Sequence, residues 1–429
     1  MDIRQTRNKQ KQLNSDRTPR QREVVKKWKD NNWKGIFIAA TGFGKTYTAI
    51  LAILDMKPKD VTVVVPTLEL QIQWQSELKR HKVKDFRVIV INTASTMKLK
   101  ADLLIFDECH RLPAEKFRLA LTNAHYNGLF MLTATMKRQD GEHKFLLTYT
   151  KVIDTISVEE CLKNGWISNY TIYNLSVPLA EEEREAYEEA DEEFTKYAKL
   201  CGGKTYAFKN ANIYLKQSKI LSQTKKENKI ALSKNEYFNW RKANKTEHDI
   251  IERRAKLAVM YYNWMGKRKQ IIYDATHKLS TTYNIIQAFP DRKTLVFSLS
   301  TDFADQLQEM VGDTCVTIHS KMTKKQRQES LRLFNDNRTK KRVISSVKAL
   351  NSGLDIPECE IGVAASATSS EIEAIQSLGR VVRAVEGKHA IFVNLYVEDT
   401  QDTIWLKNRQ WKMDKTNIRW IHSVSQITV

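Results

Sequence analysis

The stretch Gly35 to Thr46, GIFIAATGFGKT, limits what this chain can fold into more than any other part of it. Ile36-Phe37-Ile38-Ala39 is a short apolar run suited to a buried strand. Thr41-Gly42-Phe43-Gly44 then supplies two glycines, which let the backbone turn so that successive N–H groups face an anion. Lys45 would meet the β- and γ-phosphates of a nucleotide, and the Thr46 hydroxyl would ligate Mg²⁺. Tyr47 to Ala52 are helix formers, which completes the strand, loop and helix that a phosphate loop requires. Ala39 stands where the usual pattern begins with glycine, so the match departs from it at that position. The bland alternative is a glycine turn before an ordinary helix.

A second motif fits the first. Asp107-Glu108-Cys109-His110 follows the apolar run Leu103 to Phe106, which puts two carboxylates at the carboxyl end of a strand, where ligands of α/β folds gather. Asp107 would hold the Mg²⁺ shell, while Glu108 would orient and deprotonate an attacking water. Without the phosphate loop, the same pair would read as a helix cap. Leu132-Thr133-Ala134-Thr135 ends another apolar run with hydroxyl groups suited to a hydrogen-bonded relay between the site and the second domain. Far downstream, Gln376, Arg380 and Arg383 are spaced to share one face of a helix, beside Gly379. Such arginines give bidentate contact to phosphate oxygens and act as fingers from a second domain; the alternative is an exposed basic helix.

Apolar runs recur at Ile36–Ala40, Val61–Val65, Val88–Ile91, Leu103–Phe106 and Leu129–Leu132. A second series begins at Thr294–Ser298 and continues through Val316–Ile318, Val343–Ser345, Ile361–Val363 and Ala390–Val393. Continuous apolar strands alternating with helices predict parallel sheets covered on both faces. The fold class is α/β, with two parallel-sheet domains in tandem. The order expected is a mobile basic arm (1–17), a first domain (18–150), a linker (151–180), a helical insertion (181–265), a second domain (266–400) and an extension (401–429). The insertion pairs an acidic run, Glu181 to Glu193, with a Lys/Arg-rich stretch holding interspersed aromatics at 204–256, so it is either a solvated helix pair or a nucleic-acid surface. Trp405, Trp411 and Trp420 of the extension are expected to pack on the second domain.

Composition narrows the partner. With 70 Lys and Arg against 50 Asp and Glu, the formal charge of +20 favours a polyanion, nucleic acid before membrane surface. No apolar segment is long enough to span a bilayer, the N-terminus lacks a signal-peptide core, and the five scattered cysteines form no zinc or disulfide pattern. A soluble, intracellular protein with reduced thiols is expected.

Taken in order, GFGKT, DECH, LTAT and the Gln376–Arg383 segment QSLGRVVR resemble a superfamily 2 helicase, which implies two RecA-like domains and use of ATP with Mg²⁺. DECH with GRxxR, together with VVPTLELQIQW at Val64–Trp74, is similar to the XPB, UvsW and RecG-like DNA translocases and to phage fork-reversal and branch-migration helicases. On that resemblance Gln21 reads the adenine, although Arg20 replaces the aromatic ring that often precedes it. Thr67, Thr93 and Ser346 would grip the phosphates of one strand, and Gly353 and Asp355 would lie near the nucleotide. The implied activity is ATP-dependent translocation on branched, forked or single-stranded DNA, largely independent of sequence. The alternatives are an RNA helicase, a duplex translocase that does not separate strands, and a passive nucleic-acid-binding protein.

Overall fold

The computed structural model describes residues 3–136, 141–336, 338–347, 359–368, 370–382, 388–411 and 413–428; the side chains of 3–16, 324, 371–373 and 376 lie outside that description. The first lobe contains β1 (Lys34–Ala39), β2 (Val61–Val65), β3 (Phe86–Val90), β4 (Lys100–Phe106), β5 (His125–Thr133) and β6 (Val152–Ile156). Its helices are α1 (Ile3–Asp30), α2 (Lys45–Met56), α3 (Leu68–Arg80), α4 (Ile91–Ala94), α5 (Glu115–Thr122), α6 (Lys144–Leu147) and α7 (Val158–Lys163). These strands form one six-stranded sheet in the order β3-β2-β4-β5-β1-β6, with parallel pairing throughout. Every residue of β2, VTVVV, is buried, as expected for a strand covered on both faces.

The second sheet has seven strands in the order β13-β7-β12-β11-β8-β10-β9. Its members are β7 (Asn169–Val177), β8 (Thr294–Ser298), β9 (Cys315–Ile318), β10 (Val343–Val347), β11 (Ile361–Ala364), β12 (His389–Val397) and β13 (Ile418–Ile421). The apolar core continues from Phe43, through Ile167 and Tyr170, to Leu378, Val381 and Val382, so both sheets belong to one compact unit. Residues 178–279 form a separate unit built from α8 (Glu181–Leu200), α9 (Ala207–Ala231), α10 (Lys234–Ala243) and α11 (Lys245–Tyr273). Within that unit α11 pairs with two carboxylates of the acidic run: Lys267 pairs with Glu189 at 2.9 Å, and Arg268 pairs with Asp191 while lying over the Phe194 ring. Helices α12 (Thr276–Ala288), α13 (Thr301–Val311), α14 (Lys324–Asn335), α15 (Glu371–Val381) and α16 (Gln401–Gln410) complete the chain.

The expected α/β tandem with a helical insertion is present, but three segments differ from their expected boundaries. Residues 151–180 are not a structureless linker, because they carry β6 of the first sheet and β7 of the second. β7 matches β12 in register over nine residues, from Asn169↔His389 to Val177↔Val397, so the helical unit interrupts the second sheet's own sequence. The basic arm is not separate either: α1 runs unbroken from Ile3 to Asp30, and Arg17 is 8% exposed within it. Of the three tail tryptophans, Trp405 is buried and Trp420 meets Tyr396 edge-on, whereas Trp411 is 57% exposed.

Candidate nucleotide site

In a parallel sheet all carboxyl ends share one edge, and the strand order decides which loops become neighbours there. Here β5 lies between β1 and β4. That places Thr133 between the loop after β1 and the Asp107–Glu108 pair after β4. The loop after β1 has φ of +95° at Gly42 and +104° at Gly44, left-handed conformations that favour glycine. Phe43 between them is fully buried and meets Phe37 and Trp166 edge-on, which fixes the loop to the core. Lys45 and Thr46 begin α2, and Lys45 Nζ donates to the Ala39 carbonyl at 3.1 Å, folding back over the loop.

Two side chains of α1 hold the loop from behind. Arg17 Nη1 donates to the Gly42 carbonyl at 2.7 Å, and Gln21 Nε2 donates to the carbonyls of Phe43 and Gly44 at 3.4 and 3.3 Å. Gln21 Oε1 and Arg17 Nε remain buried without a hydrogen-bond partner among the described residues, polar atoms of the kind that a bound group satisfies. Arg20, which replaces the expected aromatic ring, is committed elsewhere. It donates to Asp154 at 2.6 and 3.1 Å and to Glu160 at 2.9 Å, tying α1 to β6 and α7.

The carboxylates differ sharply. Burial and then the neighbouring Glu108 charge push the Asp107 carboxyl up to about 6, partly opposed by the indole N–H of Trp74, which donates to Oδ2 at 2.8 Å. Burial also disfavours the Glu108 charge, but His110, Lys45 and Arg111 together outweigh it and hold Glu108 down to about 2. Glu108 itself sits at φ +51°, an uncommon conformation for a non-glycine residue and one that accumulates at functional sites. His110 Nδ1 lies 3.2 Å from Glu108 Oε2 and 3.0 Å from Thr133 Oγ1. Because Thr133 Oγ1 gives its proton to the Thr135 carbonyl, it accepts from the ring, which places the proton on Nδ1. These contacts join His110 of DECH to Thr133 and Thr135 of LTAT within the first lobe; the relay expected at LTAT leads on to the second domain, which none of them reaches.

Thr46 and Asp107 offer a hydroxyl and a carboxylate, hard oxygen donors of the kind a small divalent cation takes when phosphates complete its shell. Among the described residues no cluster of three or more His, Cys, Asp or Glu forms a protein-only metal cage.

Across the cleft, α15 brings Gly379 against Thr41, and Arg380 follows it near the helix end. Gln376 lies on the same helix, its side chain outside the described residues; Arg383, Gly353 and Asp355 lie outside them altogether. The strand-gripping candidates are scattered by comparison. Thr67 caps α3, accepting from the Leu70 N–H at 3.3 Å, and Thr93 is exposed on α4. Ser346 is 1% exposed within β10 of the other sheet, its hydroxyl unpartnered among the described residues. The sequence motifs include Arg17, Trp74 and His110 but assign none of them an individual role here. The four-residue spacing of Arg17 and Gln21 on a helix was the available signal for the first.

Comparison with known proteins agrees with this geometry. Residues 277–385 match the family model for the helicase conserved C-terminal domain, and residues 11–98 and 89–138 match that for the type III restriction enzyme, res subunit. The chain is 25% identical over 400 residues to the DNA 3′-5′ translocase XPB2 of Sulfurisphaera tokodaii, spanning 89% of this chain and 82% of that protein. It is 22% identical over 417 residues to the DNA 3′-5′ helicase XPB of Mycobacterium tuberculosis, spanning 89% of this chain and 61% of that protein. The crystal structure of the Pyrococcus furiosus Hef helicase domain superposes with a TM-score of 0.51 at 15% identity, covering 92% of this chain and 97% of that one, which establishes the shared fold. The two family models and the XPB-named relatives support a superfamily 2 helicase or translocase of the XPB type, and with it an ATP-hydrolysing enzyme.

Proposed function

We propose that this protein is an ATP-driven DNA translocase that moves 3′ to 5′ and remodels forked or branched DNA. The observation that carries the motor reading is the meeting, on one sheet edge, of the glycine loop, the Asp107–Glu108 pair and Gly379 of the other lobe. The choice of DNA and of direction is supported by the names of the two relatives and by the excess of positive charge.

In this reading the N–H groups of Gly42 to Gly44 and the Lys45 ammonium bind the β- and γ-phosphates. Gln21, whose donor is already used on the loop, offers Oε1 as an acceptor for the exocyclic amine of adenine. Mg²⁺ held by Thr46 and Asp107 would neutralise charge on the phosphate oxygens. Glu108 is ionised at neutral pH, so it accepts a hydrogen bond from the attacking water and takes its proton as the phosphoryl group departs. His110 fixes that carboxylate and links it to Thr133. The resemblance assigns to Gln376, Arg380 and Arg383 the role of answering the charge that develops on the γ-phosphate, and to Gly353 and Asp355 a role near the nucleotide and the strand. Hydrolysis then alters how the lobes meet. Thr67 and Thr93 of the first lobe grip one strand through its phosphates, whereas Ser346, 1% exposed within β10, presents no surface to it.

The helical unit is the second nucleic-acid surface in this proposal. Lys216, Lys219, Lys226 and Lys229 are exposed on α9, so they are placed to hold duplex phosphates. ATP turnover measured in parallel with single-stranded DNA, duplex, forked DNA and RNA tests the assignment. Forked DNA is expected to stimulate most. RNA at matched length and salt stimulating as well or better would replace DNA as the substrate.

A further inference from the structure

Helix α3 bridges two parts of this motor that sequence motifs treat separately. Its N-cap is Thr67, a candidate for the strand grip, and its first turn carries Glu69, which lies 3.7 Å from Arg327 on α14 of the second lobe. Two turns along, Trp74 faces inward and is 1% exposed. A buried indole N–H needs an acceptor. It takes Asp107 Oδ2 at 2.8 Å, while Asp107 Oδ1 takes the backbone N–H of Glu108 at 3.0 Å. Each carboxylate oxygen is therefore oriented by one donor and keeps lone-pair capacity for a further partner.

We infer that Trp74 is a positioning residue: its indole N–H holds the Asp107 carboxylate in the orientation that receives Mg²⁺, from the same helix that presents Thr67 to the nucleic-acid strand. The inference rests on the reading of Asp107 as the magnesium-side carboxylate. One feature favours orientation over simple packing: the packing role of Trp74, shared with Leu78 four residues on, needs only an apolar ring, whereas the hydrogen bond needs the N–H. Outer partners that orient a metal-binding side chain are worth about 10- to 100-fold in metal affinity.

The test measures binding of a fluorescent, non-hydrolysable ATP analogue with saturating Mg²⁺ and with EDTA, for wild type, Trp74→Phe, Asp107→Asn and the double variant. The quantity read is the tightening that Mg²⁺ produces. In Trp74→Phe, affinity in EDTA is expected to match wild type while the tightening falls by about tenfold or more. The double variant is expected to lose no more than Asp107→Asn alone, since both changes remove one interaction. Equal loss of affinity with and without Mg²⁺ would reduce Trp74 to packing and overturn the inference. So would full tightening in Trp74→Phe when Asp107→Asn has lost it. If Asp107→Asn also keeps full tightening, the magnesium assignment falls and the inference with it.

Discussion

Gly379 of α15 rests directly against the side chain of Thr41 in the phosphate loop: a β-carbon at position 379 would crowd Thr41 Cβ and Cγ2 and lie 2.9 Å from its Oγ1. The two lobes therefore meet through the absence of a side chain. Gly379→Ala should hold them apart without touching the phosphate-binding groups. We predict retained nucleotide affinity and a drop in kcat of about 100-fold, the scale on which small misplacements of a catalytic group are felt. Thr41→Gly in the same chain should restore part of the loss, and an additive loss instead would show that the close approach is incidental.

The ionisation of Asp107 makes a prediction about stability and pH. Its folded value is raised from 3.8 to about 6, so the folded state binds this proton more tightly than the unfolded chain does. No cost exists below the unfolded value, and the cost develops as pH rises toward the folded one. Asp107→Asn, which also gives up one of the two acceptor oxygens, should therefore compare more favourably with wild type in the stability of the nucleotide-free protein at pH 8 than at pH 5, by about 1–2 kcal/mol. Denaturant unfolding at the two pH values measures the difference. An effect equal at both would show that burial of the charge is not its source.

His110 should matter through Glu108. His110→Ala removes the ring that helps keep Glu108 low and that links it to Thr133. We expect slower turnover, by about 10- to 100-fold, with nucleotide affinity little changed, because general-base catalysis contributes about 10²–10⁴-fold when intact. Steady-state kcat beside equilibrium binding separates the two effects. A loss confined to binding would remove His110 from the hydrolytic relay.

The helical unit is tested by salt. Lys225 pairs with Glu252 at 2.6 Å, which leaves Lys216, Lys219, Lys226 and Lys229 as the better set to neutralise together. For every lysine that neutralises a phosphate, its removal should make the slope of log affinity for duplex DNA against log salt shallower by about 0.9. An unaltered slope would make the unit a solvated spacer.

The apolar strands were legible because parallel strands buried on both faces are nearly continuous apolar runs, as in VTVVV of β2 and TLVFS of β8, where only Thr and Ser intervene. β7 was not, and its sequence explains why. Asn174 lies fully buried in the middle of it, where its amide exchanges hydrogen bonds with Gln410 and accepts from Asn394, residues 236 and 220 positions away. No local pattern announces a polar residue satisfied at such range. The same holds for the site: GFGKT and DECH are contiguous and readable, whereas Trp74–Asp107 and Arg17–Gly42 join residues 33 and 25 positions apart and exist only once the fold is formed. Arg17 reads as the end of a mobile basic arm, because charge on a polar stretch carries no sign of what it will touch.

In the proposed motor the glycine loop and the Asp107–Glu108 pair form one hydrolytic centre. DNA-stimulated ATP turnover of Glu108→Gln, measured beside its nucleotide affinity and beside Lys45→Ala, tests it most directly. The account predicts that Glu108→Gln binds ATP as wild type does and loses turnover by at least about 100-fold, whereas Lys45→Ala loses binding first. Full DNA-stimulated turnover by folded Glu108→Gln would contradict it.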